Sequence, residues 1–306
     1  MKFLSVLLLA CLVVFAPQAQ TPQTPLQIGI FADADSLPLI VAQEEGLFSR
    51  EGVAVNLVRF SSAVERDSAL QAGKLDGLVT DILAVMLLNE GGFPVKITSL
   101  TNGRYGIAAS PGSSMRTVKD LKGRSAAISL NTIIHYFTDL SMEEAGLAAG
   151  SVNLVPVPKM PVRMEMLLAG QVDAAVMPEP FLTTASLKGA RILAASDDAG
   201  LEAGVLAFRT PVLQNRLDAI QKFYKAYWEA AQRINASPDR YRRVLVESLS
   251  FPEEAAKAFV FPVYKKPALP GQSSMEKAGR WLLGKGLAKT LQKTADLVDA
   301  RAASGW

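Results

Sequence analysis

Carboxylates, hydroxyls and one amide gather where predicted strands give way to helices. Five segments stand out: Asp33-Ala34-Asp35-Ser36-Leu37, Ser61-Ser62, Thr80-Asp81, Asn131-Thr132 and Pro178-Glu179-Pro180. Acids in that setting accept hydrogen bonds from a ligand's N–H groups or balance a cation. The free N–H groups and dipole of a helix start favour electron-rich ligand atoms. In open α/β sheets ligands sit beyond the carboxyl ends of the strands, so all five segments would face one cleft. The candidate ligand-binding residues are Asp33, Asp35, Ser36, Ser61, Ser62, Thr80, Asp81, Asn131, Thr132 and Glu179. Tyr136, one turn inside a helix that starts at the cleft, is a candidate for stacking.

Each has a plain structural alternative. Ser36, Ser61, Asn131 and Asp81 can simply cap helices. Asp33 and Asp35 can be solvated turn residues, and Tyr136 can pack in a core. His135, the only histidine, reads as a surface residue rather than a base or a metal ligand. Glu179 lies between two prolines, which fix its backbone and aim its side chain.

The cleft so built holds up to four carboxylates: Asp33, Asp35, Asp81 and Glu179. The basic residues nearby are Arg59, Arg104 and Lys159, none of them inside the five segments. A nitrate or sulfonate pocket needs donors, often with a cation, aimed at the anion. The acid excess therefore favours a ligand with donors of its own, such as an aminopyrimidine, another heterocyclic amine or a cation. Helix N-termini can hold an anion without arginine, which keeps sulfonates open.

The elements that must position these groups carry an internal repeat. Val55-Asn56-Leu57-Val58 returns as Val152-Asn153-Leu154-Val155, and Ala72-Gly73-Lys74-Leu75-Asp76 as Ala169-Gly170-Gln171-Val172-Asp173, both 97 residues later (152−55 and 169−72). Two words sharing one offset point to two similarly built α/β units. Gly73 and Gly170 suit a left-handed helix end, and Asp76 and Asp173 suit local backbone hydrogen bonds. Strands alternate with helices, which argues for parallel sheets. Lobe 1 is expected over 26–104 and 206–306, and lobe 2 over 105–205. The chain would cross at Thr101 to Tyr105 and return along Gly204 to Phe208. Ile220, Phe223, Tyr227, Ala231 and Ile234 form a stripe at helical spacing. That helix, and later ones near 253–260, 273–284 and 286–302, would pack on lobe 1.

Met1-Lys2, an apolar run from Phe3 to Ala16, and Ala19 read as a secretory signal peptide over 1–19. The 287 residues that follow (306−19) suit two lobes. Cys11 is the only cysteine and lies inside the signal. Leu8-Leu9-Ala10-Cys11 looks like a lipobox, but the residues after it stay apolar, so a discarded signal residue is the expectation. The mature chain then has no thiol chemistry. The net charge of +3 is small and mixed, without the basic block that nucleic acid requires. No phosphate-binding Gly-x-x-x-x-Gly-Lys-Ser/Thr, no Gly-x-Ser-x-Gly elbow and no His-Glu-x-x-His pair occurs.

Several phrases, taken in order, resemble a known family. They are Ile40-Val41-Ala42-Gln43-Glu44-Glu45-Gly46-Leu47-Phe48-Ser49-Arg50-Glu51-Gly52-Val53, Leu70 to Asp76, Val118-Lys119-Asp120-Leu121-Lys122-Gly123-Arg124, Ala169 to Ala174, and Pro178-Glu179-Pro180. The chain resembles periplasmic solute-binding proteins of ABC importers, in the SsuA/THI5-like branch of nitrate, sulfonate, taurine and thiamine-precursor binders. The resemblance covers roughly 26–235. It implies a type II two-lobe α/β fold, two crossing strands as a hinge, and an interlobe ligand. It implies a permease with its ATPase as partner, no cofactor, no catalysis, a monomer and a periplasmic location. Glu179-Pro180-Phe181 matches the family's acidic-Pro-aromatic segment, which reaches the cleft in relatives. The alternatives are an enzyme on the same fold and a sensor ectodomain. The pyrimidine synthase among the relatives uses a cysteine-rich iron motif that is absent here.

Overall fold

The computed structural model describes residues 24–304 except Ala199. The predicted signal peptide and Cys11 lie outside the described residues. The first unit runs β1 (Leu26–Ile30), α1 (Leu37–Glu44), α2 (Leu47–Arg50), β2 (Val55–Arg59), α3 (Ala63–Gln71), β3 (Gly77–Asp81), α4 (Ile82–Glu90) and β4 (Val95–Leu100). The second runs β5 (Tyr105–Ala109), β6 (Ser125–Ile128), α5 (Ile133–Glu144), β7 (Asn153–Pro156), α6 (Met160–Leu168), β8 (Ala174–Pro178), α7 (Phe181–Leu187) and β9 (Arg191–Ala195). The chain then forms β10 (Gly204–Arg209), α8 (Thr210–Asn215) and α9 (Leu217–Ala236). It closes with α10 (Arg242–Glu247), α11 (Glu253–Ala258), α12 (Gln272–Gly284) and α13 (Thr294–Leu297).

Two five-stranded sheets result, in the orders β2-β1-β3-β10-β4 and β7-β6-β8-β5-β9. In each, the first three strands are parallel and the fourth is antiparallel to the third. The repeat is therefore structural: α3 and α6, and β3 and β8, start and stop 97 residues apart (160−63, 168−71, 174−77 and 178−81). Its small words do local work. Gly73 and Gly170 end their helices at φ of 71° and 67°. Asp76 accepts from Gln27 N–H at 2.9 Å, and Asp173 from Ser125 N–H at 2.8 Å. Each acid ties the start of its third strand to the first.

The return crossing differs from the sequence reading. Gly204–Arg209 is not a crossing but an inner strand of the first sheet, hydrogen-bonded to both β3 and β4. The chain returns between β9 and β10. The predicted helix 286–302 is broken: it keeps only the short α13 and a 3-10 turn at Ala300–Ala303. Val298 bridges to Ile97 and Asp299 N–H donates to Ile97 O at 2.9 Å, so pairing along the open edge of β4 overrides helix propensity.

The stripe on α9 is buried as expected. Phe223 stacks on Phe48, with centroids 5.4 Å apart, and meets Phe208 edge-on. The later helices do not keep to one lobe. α11 packs on α7, and Phe251 meets Phe181 at 5.0 Å. Trp281 on α12 meets His135 and Tyr136 on α5 and donates to Asp139 at 2.9 Å. The C-terminal region thus straps both lobes. His135 is buried in that strap rather than exposed.

Candidate functional site

The carboxyl ends of β1, β3, β6 and β8 meet across the seam between the lobes. They line a cavity of about 50 Å³. The first lobe contributes Phe31, Asp33, Asp35, Arg66, Thr80 and Asp81 to its wall; the second contributes Ser129, Thr132, Met160 and Arg163. The lobes touch at this seam. Met160 N–H donates to Ser61 O at 3.1 Å, and Ala34 N–H to Glu179 O at 3.0 Å. Asp81 caps α4 through Ala84 N–H at 2.8 Å and reaches the start of α5 through Ile133 N–H at 3.1 Å. One carboxylate therefore joins a helix start from each lobe.

The predicted site residues divide into two sets. Asp33, Asp35, Thr80, Asp81 and Thr132 line the cavity. Ser36, Ser61, Ser62, Asn131, Tyr136 and Glu179 are not among its lining residues. Ser36 Oγ accepts from Phe31 N–H at 3.2 Å, holding the turn rather than capping α1. Ser62 caps α3 through Glu65 N–H at 3.3 Å, and Ser61 Oγ donates to Glu65 at 3.0 Å. Asn131 is exposed and left-handed, at φ 59°. Tyr136 faces Trp281. Glu179 takes Thr183 N–H at 2.9 Å and pairs with Arg104 at 3.2 Å, along a separate groove.

The acids are strongly perturbed. Burial, with the neighbouring Asp35 charge, pushes Asp33 up to about 7; Arg66 pulls it partly back. Burial pushes Asp81 up to about 6. Asp35 is also raised by burial, although it accepts from Gly103 N–H at 2.7 Å and Tyr105 O–H at 2.5 Å. Asp35 thus ties the β1–α1 loop to the crossing segment.

The sequence reading placed no cation inside the cleft; the structure corrects this with two buried arginines. Arg59 binds Ser248 O, Arg104 binds Glu179 and Asp197, and Lys159 pairs with Glu65, all beyond the cavity wall. Arg66 and Arg163, each 1% exposed, line it instead. They are repeat mates, 97 residues apart (163−66). Arg66 Nη1 donates to Val79 O at 2.9 Å, and Arg163 Nη1 to Val176 O at 2.5 Å, again 97 apart (176−79). Extending the repeat offset across α3 and α6 would have found both. The mates differ in charge balance. Arg66 pairs with its neighbour Asp67 at 2.7 Å, whereas the mate of Asp67 is Met164. Burial alone pushes Arg163 down to about 9.

Two α/β lobes around a buried ionic cavity define a periplasmic-binding-protein fold. The NMT1/THI5-like family model matches residues 33–241, and the chain belongs to that family. No curated protein sequence matches it significantly. Solved structures share the fold at low identity. A ligand-binding component of an ABC-type import system from Staphylococcus aureus, with zinc bound, is 16% identical at TM-score 0.80, covering 92% of this chain and 99% of that one. The alkanesulfonate-binding protein SsuA from Xanthomonas axonopodis pv. citri, bound to MOPS, is 17% identical at TM-score 0.78, covering 91% and 99%. The desulfurization enzyme DSZB is 16% identical at TM-score 0.68, covering 92% and 98%. Among the described residues no helix is long and apolar enough to cross a membrane. Among them no group of three or more His, Asp or Glu is arranged to hold a metal ion.

Proposed function

We propose that this protein is the extracytoplasmic solute-binding component of an ABC importer. It captures a small polar molecule between its lobes and delivers it to a membrane permease driven by a separate ATPase. The observation that carries this reading is the cavity at the seam, walled by buried ionic groups from both lobes. A ligand there bridges the lobes, so binding and closure are one event. The lobe limits of 26–104 with 206–306, and 105–205, go with this reading, as do the monomeric state and export through the signal peptide.

Two arginines in the cavity change the ligand reading. An acid-only cleft favoured a thiamine-precursor-like pyrimidine or another nitrogen compound. Arg66 and Arg163 supply the donors that an oxyanion needs. A ligand with a sulfonate- or nitrate-type acid group is now supported, in line with the alkanesulfonate binder that shares the fold. We read the protein as a binder without turnover, although DSZB shows that this fold also hosts an enzyme.

Native mass spectrometry of gently purified mature protein, paired with small-angle scattering before and after ligand stripping, tests the proposal. A bound small molecule whose removal enlarges the radius of gyration supports it. An unchanged radius with no retained molecule, or steady chemical conversion of that molecule, refutes it.

A further inference from the structure

Part of the second-lobe wall of the cavity is one tight turn. Between β6 and the first turn of α5, Ser129, Thr132, Ile133 and Ile134 all line the cavity. Asn131 stands among them with a left-handed backbone, φ 59°. A residue with a side chain keeps that conformation only where neighbouring bonds hold it. Thr132 Oγ1 donates to Ser129 O at 2.9 Å. Ile133 N–H donates across the seam to Asp81 at 3.1 Å. Asn131 N–H donates to His135 Nδ1 at 3.2 Å.

The last bond differs from the others because its acceptor can take a proton. A ring nitrogen that accepts an N–H carries a free electron pair, so His135 is neutral here with its proton on Nε2. The imidazole is buried, and Trp281 meets it edge-on at 4.9 Å. Asp139 faces it from the same helix, with Oδ2 at 3.8 Å from Nε2. That oxygen also accepts from Trp281 Nε1–H at 2.9 Å and pairs with Lys285, just past α12, at 2.6 Å. Burial holds His135 below its ordinary value; Asp139 pulls the other way, and Lys285 cancels part of that pull.

We propose that His135 is a proton-operated latch on the cavity wall: neutral, it fastens Asn131 and so holds Ile133 N–H against Asp81; protonated, it releases the turn. Both nitrogens of an imidazolium are donors, so the Asn131 N–H then faces a positive donor instead of an acceptor. His135 does not line the cavity and acts through the turn, which makes it a positioning residue. The latch goes beyond the solute-binding reading and stands without it. Within that reading, acid lowers affinity for whatever fills the cavity. Asp33 and Asp81 titrate at the same cavity, so the test must separate them from His135.

A single histidine makes the test direct. Nuclear magnetic resonance of tag-free mature protein, without added solute, reads the tautomer and titration midpoint of that imidazole. The Nε2–H form and a midpoint below 6.5 are expected. An Nδ1–H form, or a midpoint at or above 6.5, overturns the proposal. Hydrogen exchange, corrected for its intrinsic pH dependence, then follows the amides of residues 131–133. From pH 7.5 to one unit below the midpoint, their protection should fall about ten-fold or more. His135→Asn puts a carbonyl oxygen where Nδ1 stands and cannot titrate, so its protection should change less than about three-fold. His135→Phe keeps a ring against Trp281 without an acceptor, and should be poorly protected at both pH values. An equal fall in wild type and His135→Asn assigns the effect to the acids and overturns the latch. If neither variant folds, the wild type decides: loss of protection at the imidazole midpoint supports the proposal, and loss at another pH, or none, overturns it. Because no solute is added, failure here leaves the solute-binding reading to its own test.

Discussion

Replacing Gly103 by alanine should loosen the loop that carries the first-lobe acids. A Cβ at this position would overlap the Asp35 carboxylate. No flexible side-chain end can yield, because Asp35 is itself fixed by Gly103 N–H at 2.7 Å and Tyr105 O–H at 2.5 Å. Asp35 must rotate away and surrender both bonds inside a buried site. Hydrogen bonds to charged groups are worth about 1.5–3 kcal/mol each, so the loss is roughly 3–6 kcal/mol. At about 2 °C per kcal/mol, suited to a chain of this length, Tm falls by roughly 6–12 °C. Tyr105→Phe removes one of the two bonds and should cost about half as much. In the double variant the losses should be less than additive, because both act through Asp35. Differential scanning calorimetry of the three variants beside the wild type reads this directly. A Gly103→Ala protein melting within 3 °C of wild type would refute the tether.

Other expectations follow from the same geometry. Asp33 and Asp81, raised to about 7 and about 6, hold protons more tightly folded than unfolded, so their stabilising contribution is present at low pH and fades as pH rises through those values. His135, lowered by burial, acts in the opposite direction. The Tm difference between Asp33→Asn and wild type should therefore grow in favour of the variant from pH 5 to pH 8, and a shrinking difference would contradict the burial of Asp33. Thr80→Val removes a buried hydroxyl without a protein partner, so thermal stability should hold or rise by about 1 kcal/mol while ligand affinity drops. A stability loss above that size would mean the hydroxyl has a structural role. Trp281→Phe deletes the N–H donated to Asp139 across the strap, and roughly 1 kcal/mol of closure energy corresponds to a few-fold weaker ligand binding by calorimetry. Unchanged affinity would separate the strap from closure.

The two-unit architecture was legible because local rules repeat. Left-handed glycines at 73 and 170, the strand-tying acids at 76 and 173, and alternating apolar segments are short-range signals, and both copies carry them at one offset. The acids of the cavity were also legible, since each follows a strand end. The arginines were not, because a long cationic side chain inside a helix reads as solvated surface unless something shows that its helix backs onto a seam. Glu179 and Tyr136 show the converse: both start near the cleft in sequence, yet Arg104 and Trp281 draw them elsewhere.

The sequence by itself determined the repeat, the helix and strand starts, and the acids that follow β1 and β3. Each depends on residues within a few positions of one another. Only the tertiary structure decided that β10 inserts into the first sheet and that the C-terminal helices strap both lobes. It alone decided that Arg66 and Arg163 turn inward beside those acids. The strand and strap contacts join segments far apart in the chain, each arginine is fixed by a carbonyl 13 residues further on, and all are set by how the lobes pack rather than by any local preference of the chain.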